Sequence, residues 1–256
     1  MKLDIVYNED FLKSDKIENE SVDMVVTSPP YFNARDYSSW ETYEDYLIFA
    51  KEFINKSFVL LKNSGRIAIN VPDGYSRNPW IPMYADYCKL MQKAGFVLRG
   101  NIVWHKLNGA GKTSWGSWRS SSNPSFIDEH EMIIVGHKGS PRIENSSKME
   151  KQDFFNYIHS VWQIKPETKR KTGHPAPFPV EIPYGLIEFL TGEGAVVLDP
   201  FMGSFTTAIA CKKLNRRYVG YEIMKNYYDS GMRRLQEFVL LDEAKNSANK
   251  IKEVDK

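Results

Sequence analysis

Val196-Val197-Leu198-Asp199-Pro200-Phe201-Met202-Gly203-Ser204, continuing into Phe205-Thr206-Thr207, passes from an apolar run through Asp-Pro and a small-residue turn to a segment that reads as a helix. A strand, a tight turn and a helix start in that order make an edge able to hold a nucleoside. The glycine lets a ligand approach the backbone, and the first turn of the helix presents free N–H groups. One strand later, Val219-Gly220-Tyr221-Glu222 ends in an acid placed to accept from ribose hydroxyls. An ordinary strand–turn–helix has the same outline, because glycine is common at such turns.

Outward from this stretch, short β-rich runs alternate with helical patterns, the signature of an α/β fold with a parallel sheet. Strands are predicted at Val22–Thr27, Arg66–Val71, Phe96–His105, Met132–His137, Ala195–Leu198 and Arg217–Tyr221. A helix is predicted over Tyr43–Leu61, where Tyr46, Leu47, Ala50, Phe53, Ile54, Phe58 and Leu61 recur at three- and four-residue steps. A second spans Ile81–Ala94 and ends at Gly95, and a third follows Phe201. Residues from Glu243 onward are charged with little core-forming pattern, which predicts a frayed end.

Directly after the apolar strand stands Thr27-Ser28-Pro29-Pro30-Tyr31. Two prolines end the strand and remove two backbone donors, leaving carbonyl oxygens without competing N–H groups. Ser28 adds a short polar side chain and Tyr31 an aromatic face. An exocyclic amino group, with two N–H donors and two π faces beside it, suits such a site. A Pro-Pro loop with an exposed tyrosine accounts for the same five residues.

The bulk properties narrow the classes. The chain has 256 residues, 42% hydrophobic and 26% charged, enough for one large domain. No apolar run is long enough for a membrane-spanning helix and MKLDIVYNED lacks an apolar leader core, so a cytoplasmic protein without membrane partners is expected. Cys88 and Cys211 read as small apolar fillers in a reducing compartment. The net charge of +2 carries no information about partners. Gly109–Ser114 (GAGKTS) fails the spacing of a phosphate-binding loop, since Lys106 stands where its first glycine is required. Gly192-Glu193-Gly194 precedes a strand instead of following one, so it reads as a turn. The five histidines lack ligand spacing, and no metal is expected.

Two segments break the α/β rhythm. Leu107–Pro124 is rich in Gly, Ser, Trp and Asn, with Lys112 and Arg119 as its charges, and Gly139–Gly173 is polar without a clear period. From Lys106 to Gly173 there are 11 Lys and Arg against 7 Asp and Glu, an excess of four. Long irregular stretches inside a domain are usually functional or mobile. Residues 106–173 are therefore the candidate target-recognition insertion within a single domain, 1–256. Lys112 and Arg119 suit phosphates there, and Trp115 and Trp118 suit stacking or wedging, against the plainer readings of solvated loop and core packing. Trp104, at the end of an apolar strand, reads as core.

Together the SPPY and DPFMGS stretches resemble the amino-group DNA methyltransferases, whose [DNS]PP[YFW] motif holds the target base and whose DPFxGSGTT motif holds S-adenosylmethionine. The order, with SPPY some 170 residues ahead of the cofactor motif, resembles the permuted β group. Tyr7–Leu12 (YNEDFL), Tyr31–Tyr37 (YFNARDY) and Gly173–Pro183 (GHPAPFPVEIP) resemble further landmarks in the family's order. The resemblance implies a Rossmann-like methyltransferase fold with a mostly parallel central sheet and an inserted DNA-recognition region. It assigns Ser28, Pro29, Pro30 and Tyr31 to catalysis. To the cofactor it assigns Asp10, Phe11, Thr27, His174, Ala176, Phe178, Asp199, Phe201, Gly203, Ser204, Thr206 and Glu222.

The activity so implied is methyl transfer to N4 of cytosine in duplex DNA with base flipping, the serine of SPPY favouring cytosine. The alternatives are N6 of adenine, an RNA or glutamine-amide substrate, and a catalytically silent DNA-binding relative. The last is motivated by Phe205, which stands where the family has glycine. A phenylalanine there narrows the turn, demands a different backbone angle, or points away. A homodimer and a cognate restriction endonuclease are partners the resemblance allows.

Overall fold

The computed structural model describes residues 1–32, 39–75, 79–107, 116–143, 146–167 and 179–254; in the last helix the side chains are described up to Asp242 and at Ala244. The strands are β1 (Ile5–Tyr7), β2 (Val22–Thr27), β3 (Leu61–Val71), β4 (Val97–His105), β5 (His130–His137), β6 (Val161–Gln163), β7 (Val196–Asp199) and β8 (Arg217–Tyr221). The helices are α1 (Tyr43–Leu60), α2 (Met83–Lys93), α3 (Lys151–Ile158), α4 (Glu181–Leu190), α5 (Thr206–Lys213) and α6 (Lys225–Val254), with a 3-10 turn at Phe11–Lys13.

The strands form one sheet in the order β1-β8-β7-β2-β3-β5-β4-β6. All neighbours pair in parallel except β5, which runs antiparallel to both β3 and β4. The chain leaves β7 through α5 toward β8 on one side, and leaves β2 through α1 toward β3 on the other. The boundary between β7 and β2 is therefore a topological switch point, where the carboxyl ends of the two strands open a crevice for ligands. The mostly parallel α/β sheet predicted from the sequence is present.

Alternation along the strands sends side chains to two cores. Val25, Ile67, Ile69 and Ile134 pack with α1 and α2, while Met24, Val26, Ala68 and Val135 pack with α4, α5 and α6. A capping box starts α1: Thr42 Oγ1 accepts from Asp45 N at 3.1 Å, and the Asp45 carboxylate accepts from Thr42 N at 3.2 Å. Its buried stripe is Tyr46, Ala50, Phe53, Ile54, Ser57 and Leu60. Gly95 follows α2 with φ of 103°, the left-handed angle expected just past a helix end.

The differences from the predicted elements have local causes. α1 stops at Leu60 and β3 begins at Leu61 instead of Arg66, because Leu61 already pairs with Val22. α2 starts at Met83, since Ile81 is bridged to Tyr75. β1 and β6, three residues each, are too short to leave a period, and α3 buries none of its residues. α6 continues to Val254. Gly194, with φ of 73°, turns the chain into β7, as read from GEG, whereas GAGKTS lies outside the described residues. Both cysteines are free; Cys211 is buried and Cys88 half-buried. Among the described residues, no helix is long and apolar enough to cross a membrane.

Candidate active site at the sheet switch point

Asp199, the last residue of β7, is buried at the switch point and ties the two halves of the sheet together. Its carboxylate accepts from Thr27 Oγ1 at 2.7 Å, Thr207 Oγ1 at 2.6 Å and Phe201 N at 3.0 Å. Burial pushes the carboxyl up to about 6, against the pull of the two hydroxyls and the backbone N–H. Thr27 is fully buried, with its hydroxyl spent on Asp199, so the pair holds β2 and β7 in register at the floor of the crevice.

The crevice is a cleft of about 600 Å³ that Ser28, Pro29, Pro30 and Tyr31 share with Asp10, Phe11, Asp199, Phe201, Gly203, Ser204, Thr206 and Glu222. Thus the two motifs, separated by most of the chain, line one cavity. His174, Ala176 and Phe178 lie outside the described residues.

On the β8 side, Glu222 receives Gly203 N at 2.9 Å on one carboxylate oxygen and Met224 N at 2.8 Å on the other. Burial raises its pKa, partly offset by those two N–H donors. Each oxygen keeps a lone pair for a further donor. Gly203 has φ of 53°, which brings bare backbone to the cavity wall. Asp10 caps the 3-10 turn through Leu12 N at 2.9 Å, and the Phe11 ring lies 5.3 Å from that of Tyr221. Ile223 and Met224 add apolar surface to this end of the cavity. Carboxylate, close backbone and apolar wall together fit a nucleoside with a free diol.

Phe205 takes a left-handed angle, φ 61° and ψ 28°, and is fully buried. Its ring faces α6, 5.7 Å from the ring of Tyr228 and against the backbone of Gly231. It does not line the cavity, so of the three readings of this residue the structure realises the one in which it points away. Beside it, Arg234 from α6 donates to Ser204 O at 2.9 Å and Thr206 Oγ1 at 2.9 Å, and pairs with Glu167 at 3.2 Å. The turn is thereby clamped from behind.

On the β3 side, Tyr31 is not a free ring. Its hydroxyl donates to Glu131 Oε2 at 2.9 Å, lies 2.9 Å from Ser28 Oγ and accepts from Asn70 Nδ2 at 2.8 Å. Asn70 Nδ2 also reaches Glu131 Oε2, and Lys106 pairs with Glu131 Oε1 at 2.5 Å while lying over the Trp104 ring. Trp104 is buried as expected and also lines the cavity.

Asn70, Lys106 and Glu131 escaped the sequence reading. Their signal was a polar residue at the end of an otherwise apolar strand, as in Ile67-Ala68-Ile69-Asn70. For Glu131 the signal needed strand direction: a reversed strand delivers its first residues, not its last, to this edge. Of the candidates for DNA contact, Lys112 and Trp115 lie outside the described residues. Trp118, 68% exposed and not in the core, and Arg119 sit in a surface turn closed by Ser117 Oγ donating to Ser120 O at 2.7 Å; neither lines the cavity.

Residues 22–233 match the family model N6_N4_Mtase, described as DNA methylase. The Type II methyltransferase M.MjaVI of Methanocaldococcus jannaschii is 35% identical over 169 residues, which cover 64% of this chain and 87% of that protein. M.MjaI of the same organism is 28% identical over 277 residues, covering 88% and 90%. Among solved structures, TTHA0409 of Thermus thermophilus, complexed with S-adenosyl-L-methionine, is similar with a TM-score of 0.76 and 27% identity over 91% of this chain and 93% of its own. The cytosine-N4-specific PvuII DNA methyltransferase shares the fold, with a TM-score of 0.70 at 20% identity, over 89% and 84% of the two chains.

Proposed function

From the premise that this chain belongs to the DNA methylase family that modifies N4 of cytosine or N6 of adenine, we propose that its cleft methylates N4 of a cytosine flipped out of duplex DNA. The chain is an S-adenosylmethionine-dependent DNA methyltransferase. The observation that supports this reading is the shared cleft: Ser28, Pro29, Pro30 and Tyr31 face the same space as Gly203 and Glu222.

Glu222 is the residue to hold the ribose hydroxyls, and Gly203 admits the ligand to the backbone. Phe11, Phe201, Ile223 and Met224 offer the apolar slot for its base, beside Asp10. When bound there, S-adenosylmethionine supplies a methyl group on a sulfonium centre. Ser28 Oγ and the Pro29 carbonyl accept the two N–H bonds of the target amino group, drawing its nitrogen toward tetrahedral geometry and freeing the lone pair for attack. Tyr31 stacks on the flipped base, and such stacking is worth about 1–3 kcal/mol. That offsets part of the few kcal/mol that extrusion costs. The rest of the gain is positional, holding nitrogen and methyl in line.

Serine at the first motif position favours cytosine over adenine. Residues 106–173, within which β5 and β6 belong to the central sheet, are the region proposed to read DNA, with Lys112 and Arg119 on phosphates and Trp115 and Trp118 against bases. A Type II restriction setting with a cognate endonuclease follows the names of the relatives. The test is to incubate the protein with tritiated S-adenosylmethionine and mixed-sequence duplex DNA, then identify the labelled nucleoside by mass spectrometry. N4-methylcytosine is expected; N6-methyladenine reverses the base, and absence of transfer overturns the reading.

A further inference from the structure

We propose that Ser28, Tyr31 and Glu131 form a proton relay that takes up the proton released by methyl transfer, with Glu131 as its terminus; this rests on the reading of the cleft given above. A carboxylate can only accept, so the single Tyr31 hydroxyl proton points to Glu131 Oε2 at 2.9 Å. The Tyr31 oxygen must then accept at its other contacts, from Asn70 Nδ2 at 2.8 Å and from Ser28 Oγ at 2.9 Å. Every hydrogen in the line therefore runs one way, Ser28 to Tyr31 to Glu131. The lone pairs of Ser28 Oγ are left toward the cavity, met within the protein only by Asn70 Nδ2 at 3.4 Å among the hydrogen bonds of the described residues. Lys106 engages the opposite oxygen of Glu131, so that Oε2 is shared by the Tyr31 hydroxyl and the Asn70 amide.

The balance closes without another reactant. The amino nitrogen lone pair forms the N–C bond as the methyl carbon–sulfur pair returns to sulfur, and the nitrogen becomes positively charged. Its N–H bond then breaks toward Ser28 Oγ, the Ser28 proton moves to the Tyr31 oxygen, and the Tyr31 proton moves to Glu131 Oε2. The products are the methylated neutral amine, the sulfide and a protonated Glu131. Asn70 is a positioning residue, since its amide holds both Tyr31 and Glu131. The uncharged alternative acceptor is solvent, and the test distinguishes the two.

Methyl transfer is measured in a single turnover, in H₂O and D₂O, for the unaltered chain, Tyr31→Phe and Glu131→Gln, alongside affinity for S-adenosylmethionine and duplex DNA. The phenylalanine keeps the stacking ring and the glutamine keeps the shape, yet each interrupts the line. Both variants are expected to transfer on the order of 100-fold more slowly, at the low end of proton-transfer catalysis. Both affinities stay within about threefold, and the solvent isotope effect of the unaltered chain disappears. Rates within about threefold of the unaltered chain, or an isotope effect that survives in both variants, would overturn the relay alone. Loss of either affinity in both variants would also overturn it, by making these residues architectural. No transfer by the unaltered chain would overturn the reading of the cleft, and the relay with it.

Discussion

Asp199 and Phe205 are the two residues of the DPFMGS turn whose roles depend on what surrounds them. Burial holds the Asp199 carboxyl at about 6, above its unfolded value, so the folded chain keeps a proton that the unfolded chain releases first as pH rises. The contribution of this group to stability is fully present below about pH 4 and is lost as pH rises toward the folded value. Relative to the parent, Asp199→Asn is expected to gain about 2 kcal/mol between pH 4 and pH 7, read from denaturant unfolding at each pH. A flat difference across that range would show that the carboxyl does not titrate as its burial requires. Phe205→Gly relieves the left-handed angle, worth about 1 kcal/mol, but removes a buried ring, which costs about 3–5 kcal/mol. A net loss of about 2–4 kcal/mol is expected, with S-adenosylmethionine affinity by calorimetry changed less than about threefold. A large gain in affinity would mean that the ring obstructs the cofactor turn. The family motif named both positions without saying that one is a sheet clasp and the other a core side chain. Burial and partner identity are not encoded in a nine-residue string.

At the scale of elements, α6 and the β7–α5 turn are fitted to each other at Gly231. A Cβ there would stand 2.3 Å from the Phe205 ring, which is fully buried and has no room to swing aside. Gly→Ala inside a helix ordinarily stabilises by about 1 kcal/mol. Gly231→Ala is instead expected to destabilise by about 1–3 kcal/mol, because overpacking wins. The same substitution in a Phe205→Ala background should recover its helix-propensity gain, and a double-mutant cycle on unfolding free energies measures the coupling. Additive effects would refute the contact. The sequence carried α1, α2 and every strand except the short β1 and β6 in their hydrophobic periods, though not their exact ends. It carried neither α3, which buries nothing, nor the direction of β5. A strand's alternation is identical read either way, so its apolar residues were legible while the delivery of Glu131 to the cleft was not.

At the scale of the whole molecule, the cleft is walled by both motifs and floored by the Asp199 clasp, so a ligand in it bridges the two halves of the sheet. S-adenosylmethionine at 100 times its Kd is expected to stabilise the fold by about 2.7 kcal/mol, a rise in Tm of roughly 5–10 °C by thermal melting. An unchanged Tm under saturating cofactor would contradict a site preformed in the fold. The sequence by itself determined the α/β class, the residues of the two motifs and their order, because strand and helix periods and turn chemistry are local properties. Only the tertiary structure decided that Thr27 serves Asp199, that Phe205 faces α6, and that Asn70, Lys106 and Glu131 join Ser28 and Tyr31 in one polar network. Those facts arise where strands distant in sequence, and one of opposite direction, meet at a single edge; the pairing is set by the packing of two cores on one sheet, and no local pattern in the chain records it.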